Sequence, residues 1–154
     1  MHFQTCELDA RFGRCVESIF HFRDFVPDHA IERVVPTGHV FLIFELDGMA
    51  RSTFDNQTLA PNGEFTRAWV SGVHRNFISI SAHPRSEMFV IQFAIGGAYP
   101  FLQRAVAGLN DTVIAAEQVF GPEILQLRDR LQRGDNSEAK FEIALQWLAD
   151  RVDR

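Results

Sequence analysis

The chain of 154 residues has only two cysteines, one lysine and one tyrosine, and each scarcity excludes something. Cys6 and Cys15 are too few for a disulfide framework. The N-terminus Met-His-Phe-Gln has no positive stretch followed by an apolar one, so no secretory signal places them in an oxidising compartment, and a cytoplasmic protein is expected. Basic residues number fifteen, all Arg except Lys140, against twenty acids, for a net charge of −5. They are scattered and form no run, so direct nucleic-acid contact by this chain is not expected, because phosphate neutralisation needs clustered cations. The longest apolar runs, such as Val40–Phe44, are strand-sized, which excludes a membrane helix. Repeats, low-complexity stretches and internal linkers are also missing, and the length suits one domain, residues 1–154.

Phenylalanine, by contrast, is abundant, with fifteen copies. Its ring has no polar atom to satisfy, so it suits a thick core or an apolar pocket. Residues 1–96 read as strands: Gln4–Leu8, Cys15–Phe22, Ile31–Val35, His39–Leu46, Arg51–Phe54, Arg67–His74, Phe77–Ala82 and Met88–Ile95. Val26-Pro27-Asp28, Pro36-Thr37-Gly38, Asp47-Gly48 and Ala60-Pro61-Asn62-Gly63 carry turn chemistry between them. In Met88–Ile95 both faces are apolar, Phe89, Ile91, Phe93 and Ile95 opposite Met88, Val90, Gln92 and Ala94. A strand of that kind is covered on both sides, here by a barrel interior and by packed helices.

After Gly97 the period changes to about 3.6. Helices are expected over Tyr99–Ala105, Thr112–Phe120 with Asn110 or Asp111 as N-cap, Pro122–Arg133, and Asn136–Asp153, the last opened by Asp135 and Glu138 at capping-box spacing. Phe141, Ala144, Leu145, Leu148 and Val152, widened by Trp147, form its apolar stripe; Glu138, Glu142, Asp150 and Arg151 lie on its charged face. The expected class is α+β, mainly β: an antiparallel β-sandwich or β-barrel (1–96) followed by C-terminal helices (97–154) that pack on it and offer a dimer surface.

Chemistry is sparse. Ser71-Gly72-Val73 lies in a strand pattern with no nucleophile elbow, and neither cysteine has the electropositive setting of a reactive thiol, so no catalytic residue is assigned. Small barrels that hold a metal place two His one residue apart, then an acid, then a later His. His2, His21, His29, His39, His74 and His83 do not follow that pattern, and His39 and Glu45, six residues apart on one strand face, stand roughly 20 Å from each other. No metal and no cofactor is therefore expected. Gly96-Gly97 lacks the remainder of a phosphate cradle and reads as a tight turn from the last strand into the first helix. The candidate ligand-pocket residues are His39, Glu45, Arg67, Trp69, Gln92 and Phe93, polar or aromatic groups set among apolar neighbours.

Four segments together cover about residues 12 to 150. Val35-Pro36-Thr37-Gly38-His39 leads into Val40–Phe44 and then Asp47-Gly48. Trp69-Val70-Ser71-Gly72-Val73-His74 is the second. Phe93-Ala94-Ile95-Gly96-Gly97-Ala98-Tyr99-Pro100-Phe101 is the third. The fourth runs from Leu109-Asn110-Asp111 through Val119-Phe120-Gly121 and Leu125–Leu131 to Phe141 and Trp147-Leu148. In order and spacing they resemble the N-terminal sensor domain of AraC-type transcription regulators, with Ile95 standing where that family often has Pro. The resemblance implies a cupin-like barrel that binds a small-molecule effector, forms a homodimer, or both. In that family a helix-turn-helix region normally follows. It would begin at about Arg154, so DNA binding is carried over onto no residue here. The leading expectation is a ligand-sensing and dimerisation domain that is not an enzyme. The alternatives are a cupin-like isomerase or dioxygenase and a non-catalytic interaction module.

Overall fold

Among the described residues the chain forms ten antiparallel strands, nine of them before the first helix. A computed structural model of the chain describes residues 2–8, 10–24, 27–102 and 106–152. The strands are β1 (His2–Thr5), β2 (Val16–Arg23), β3 (Ile31–Val34), β4 (Phe41–Glu45), β5 (Arg51–Phe54), β6 (Pro61–Phe65), β7 (Ala68–Ser71), β8 (Ile78–Ser81), β9 (Glu87–Phe93) and β10 (Val113–Ala115). The helices are α1 (Tyr99–Leu102), α2 (Glu117–Phe120), α3 (Glu123–Arg133) and α4 (Ser137–Val152), with a 3-10 turn at Val106–Leu109. The protein is α+β and mainly β, with its longer helices at the C-terminal end, as its sequence pattern requires. The described strands pair as two sheets, β1-β2-β9-β4-β7-β10 and β3-β8-β5-β6, with no ladder joining one to the other.

The six-stranded sheet is apolar on both faces, and strand register shows how. Phe20, Val90, Ile43 and Trp69 stand side by side across β2, β9, β4 and β7. They face the smaller sheet. One residue along, Ile19, Ile91, Leu42 and Val70 form the matching row on the other face, and these belong to the core that the helices cover. There Phe89 meets Phe141 of α4 at 5.6 Å between ring centres, and Phe93 meets Phe101 at 5.3 Å. Each such side chain, fully buried, contributes about 1.5–3 kcal/mol. Both faces of Met88–Ile95 are covered as expected, one by helices and the other by the smaller sheet, and the described strands pair as two sheets without closing into a barrel.

Four details differ from expectation. Pro61-Asn62-Gly63 is not a turn but part of β6, an edge strand, where proline is tolerated because no partner needs its N–H. The turn lies earlier, where Asp55 Oδ1 accepts from Gln57 N at 2.9 Å and Thr58 N at 2.8 Å. The helix expected from Thr112 is strand β10 in its first half, where β-branched Val113 and Ile114 pair with Ser71 and Val70. Asn136, not Asp135, caps α4, its Oδ1 accepting from Ala139 N at 2.8 Å. Arg151 is half-buried, its guanidinium 4.9 Å from the Phe120 ring centre. Val26, Ala105 and Asp153, at the ends of expected elements, lie outside the described residues.

The last strand enters the helical part through Gly96-Gly97, where Gly97 N bonds Ala94 O at 2.7 Å. A Cβ on Gly97 would stand 2.4 Å from the carbonyl oxygen of Cys15, so only glycine fits. Cys6 and Cys15 are both free thiols, and burial, followed by the charge of Glu7, raises the Cys6 value. No described helix is long and apolar enough to cross a membrane.

Candidate functional site

The faces that the two sheets turn to each other flank a half-open cavity of about 220 Å³. Its floor is the row on β2, β9, β4 and β7, where alternation sends Phe20, Phe22, Ile43, Trp69, Met88 and Val90 inward. Ile78 and Ile80 of β8 form the opposite wall. The segment Val35-Pro36-Thr37-Gly38-His39, between β3 and β4, forms the rim. Polar groups gather near that rim. His39 Nδ1 lies 2.9 Å from Thr37 Oγ1, and its Nε2 lies 3.7 Å from the Glu17 carboxylate. Ser71 Oγ lies 3.0 Å from His74 Nε2. Burial lowers the His74 value from its ordinary 6.5, against a smaller upward pull from Asp111, so this imidazole favours its neutral form. A second depression of about 650 Å³ lies among Asn56, Asn62, Arg75 and Asp111 and is largely polar. The smaller, greasier space is the one with a ligand site's character, apolar walls with a few convergent polar groups.

Of the six residues expected to line a pocket, His39 and Trp69 do so. Glu45 stands behind the wall, buried to 1 % exposure. Its Oε2 accepts from Trp69 Nε1 at 2.8 Å and fixes the indole, while Arg51 of the smaller sheet grips both its oxygens at 2.9 and 3.1 Å. Its backbone carbonyl accepts from Arg128 Nε of α3 at 3.0 Å. Arg67 is exposed and outside the lining. It sits at φ +66°, a break just before β7 that ends the alternation which would have aligned it with Trp69. Gln92 shares the cavity face by register, opposite Phe41, but lies beyond the lining residues. Phe93 points to the helix side and is fully buried against Phe101. Sequence reasoning missed Ser71 and His74; their spacing of three residues at a strand end was the available signal.

Among the described residues three serines contact histidine, an arrangement that bears on catalysis. Ser86 Oγ lies 3.1 Å from His83 Nδ1, accepts from Arg51 and lines neither depression. Ser71 and His74 line the cavity, but the Asp111 carboxylate near them is taken by Arg75, through its backbone N and Nε, both at 2.8 Å. The third serine belongs to a chain in which His21 Nδ1 lies 2.8 Å from Ser137 Oγ and His21 Nε2 lies 2.7 Å from Glu87 Oε2. Ser137 is 6 % exposed at the start of α4 and lines neither depression, so this chain fastens α4 to β2 and β9. Among the described residues no three His, Cys, Asp or Glu side chains converge as metal ligands.

The family model described as "Domain of unknown function (DUF6597)" matches residues 10–115, over two thirds of the chain. The chain belongs to that family. The DUF6597 match spans β2 to β10 and so takes in every residue of the cavity lining, while α2, α3 and α4 lie beyond it. Neither the curated proteins nor the solved structures contain a match to the chain.

Proposed function

We propose that this chain is a small-molecule-binding module of the sensing kind, a cytoplasmic domain that binds its ligand without transforming it. The observation that carries the proposal is the apolar cavity between the sheets with hydroxyl and imidazole groups at its rim. Its resemblance in motif order to AraC-type sensor domains, whose barrels are cupin-like, supports the same reading. Ligand contact would reach the helices through Glu45, whose carboxylate holds the Trp69 indole in the wall and whose carbonyl is held by α3. A ligand that prefers one position of that wall shifts the helices by as much as its preference, and no more. The apolar stripe of α4 is used within the chain, Phe141, Ala144 and Leu148 being buried in the core, so the homodimer that belongs to this proposal has its interface elsewhere.

A thermal-shift screen with small metabolites tests the reading. A ligand present at 100 times its Kd adds about 2.7 kcal/mol, which raises Tm by about 5–10 °C in a domain of this size. Val90→Phe, which intrudes on the floor, should abolish the shift. Failure of every compound, or a shift that survives Val90→Phe, would count against the cavity as the binding site.

A further inference from the structure

The cavity's lining limits what it can hold, and the following step rests on the binding role proposed above. Among the described residues the lining contains no Arg, Lys, Asp or Glu. The nearest buried charges, Glu45 and Arg51, satisfy each other, and Trp69 and Ser86 take part in the same network. Neither is left over for a ligand. A cation seated in this space would find no carboxylate in the lining, and an anion no guanidinium or ammonium, so a charge buried there would lose hydration without a paired charge to replace it. His39 offers no exception, since the carboxylate of Glu17 already faces its outer nitrogen at 3.7 Å.

What remains is hydrogen bonding at one end. Ser71 is 4 % exposed, and its hydroxyl has one contact, with His74; a hydroxyl can make three. Thr37 and His39 stand at the same mouth. Size supplies the second limit. An engineered apolar cavity of about 150 Å³ takes up benzene, so 220 Å³ suits one ring with a short substituent.

We propose that the natural ligand is uncharged: a single apolar ring or a short branched chain with one hydroxyl or carbonyl group, which hydrogen-bonds at Ser71 and the neighbouring imidazoles while Phe20, Ile43, Met88 and Val90 enclose the remainder. Four probes of nearly one shape separate the possibilities: toluene, benzyl alcohol, benzoate and benzylammonium, titrated calorimetrically into the unaltered chain near neutral pH. Emission of Trp69 in a Trp147→Phe background reports whether a bound probe is in the cavity. Benzyl alcohol should bind best, about fivefold tighter than toluene for one net neutral hydrogen bond, and at least about tenfold tighter than either ion. Ser71→Ala should bring benzyl alcohol down to the affinity of toluene. If benzoate or benzylammonium binds most tightly, the uncharged class is wrong and the cavity keeps its binding role. Equal binding of toluene and benzyl alcohol overturns the polar end alone. If no probe at millimolar concentration binds or moves Trp69 emission, the binding role itself falls.

Discussion

Replacing Arg51 with methionine breaks the most deeply buried ion pair among the described residues. Arg51 is 3 % exposed and Glu45 1 %. The guanidinium donates twice to Glu45, once to Ser86 Oγ at 3.1 Å and once to the carbonyl of Ser81. It thereby joins β5 and β8 of the smaller sheet to β4 of the larger. Methionine fills much of the space but leaves the Glu45 carboxylate inside with the Trp69 N–H as its remaining side-chain donor. Stranding one member of a buried pair costs about 3–5 kcal/mol, which at about 2–4 °C per kcal/mol lowers Tm by about 6–20 °C. Urea titration followed by circular dichroism measures the loss as a lower midpoint at unchanged slope. The double variant Glu45→Met/Arg51→Met removes the stranded charge and orphans chiefly the Trp69 N–H, a penalty of about 1–3 kcal/mol. It should therefore recover about half of the loss. A single variant that loses less than about 1 kcal/mol, or a double variant no better than the single, would refute the claim that the pair ties the sheets together.

Three further outcomes follow from the same geometry. The hydrogen bond from His21 is the main reason the Glu87 value lies below its ordinary 4.5; its contribution is complete above 4.5 and disappears as pH falls through the lowered folded value. Glu87→Gln should flatten the acid limb of stability against pH, and an unchanged limb would contradict this. For His74, lowered from 6.5 by burial, the sign is that of a group kept neutral: its contribution is present above 6.5 and lost as pH falls through the folded value. NMR titration of its ring proton should give a midpoint under 6.5; one at 6.5 would show the imidazole to be open to solvent, and a higher one would show the pull of Asp111 to outweigh burial. Gly97→Ala forces a Cβ to within 2.4 Å of the Cys15 carbonyl and should cost about 2 kcal/mol or more by thermal melt; a variant as stable as the parent would show that this corner can move.

Strand β9 was legible because the run Met88–Ile95, largely apolar on both faces, calls for a covering layer on each side, and the structure supplies both. The helical tail was legible from the change of period to about 3.6 after Gly97. Strand β6 was hidden because Pro61-Asn62-Gly63 is turn chemistry wherever no edge position excuses it. Strand β10 was hidden because Val113-Ile114-Ala115 runs into Glu117–Phe120 without a break, and only the unpaired edge of β7 decides between strand and helix. The site was half visible. Alternation along His39–Leu46 set His39 and Glu45 on one face, but the partner of Glu45 sits on the other sheet, six residues away across a turn. Nothing in local patterning announces a pair of that kind. Arg67 was misjudged for a local reason, since its left-handed backbone interrupts the alternation that the residue types suggested.

The alternation along β9 has a consequence for how such a protein can change over generations. Met88 and Val90 touch the chamber, while Phe89 and Ile91, interleaved with them, touch the helix-covered core. Substitutions at the first set can reshape what the chamber admits without altering one side chain of the second. Taste and scaffold are thus written on separate letters of one strand, and selection can edit the first while leaving the other as it was.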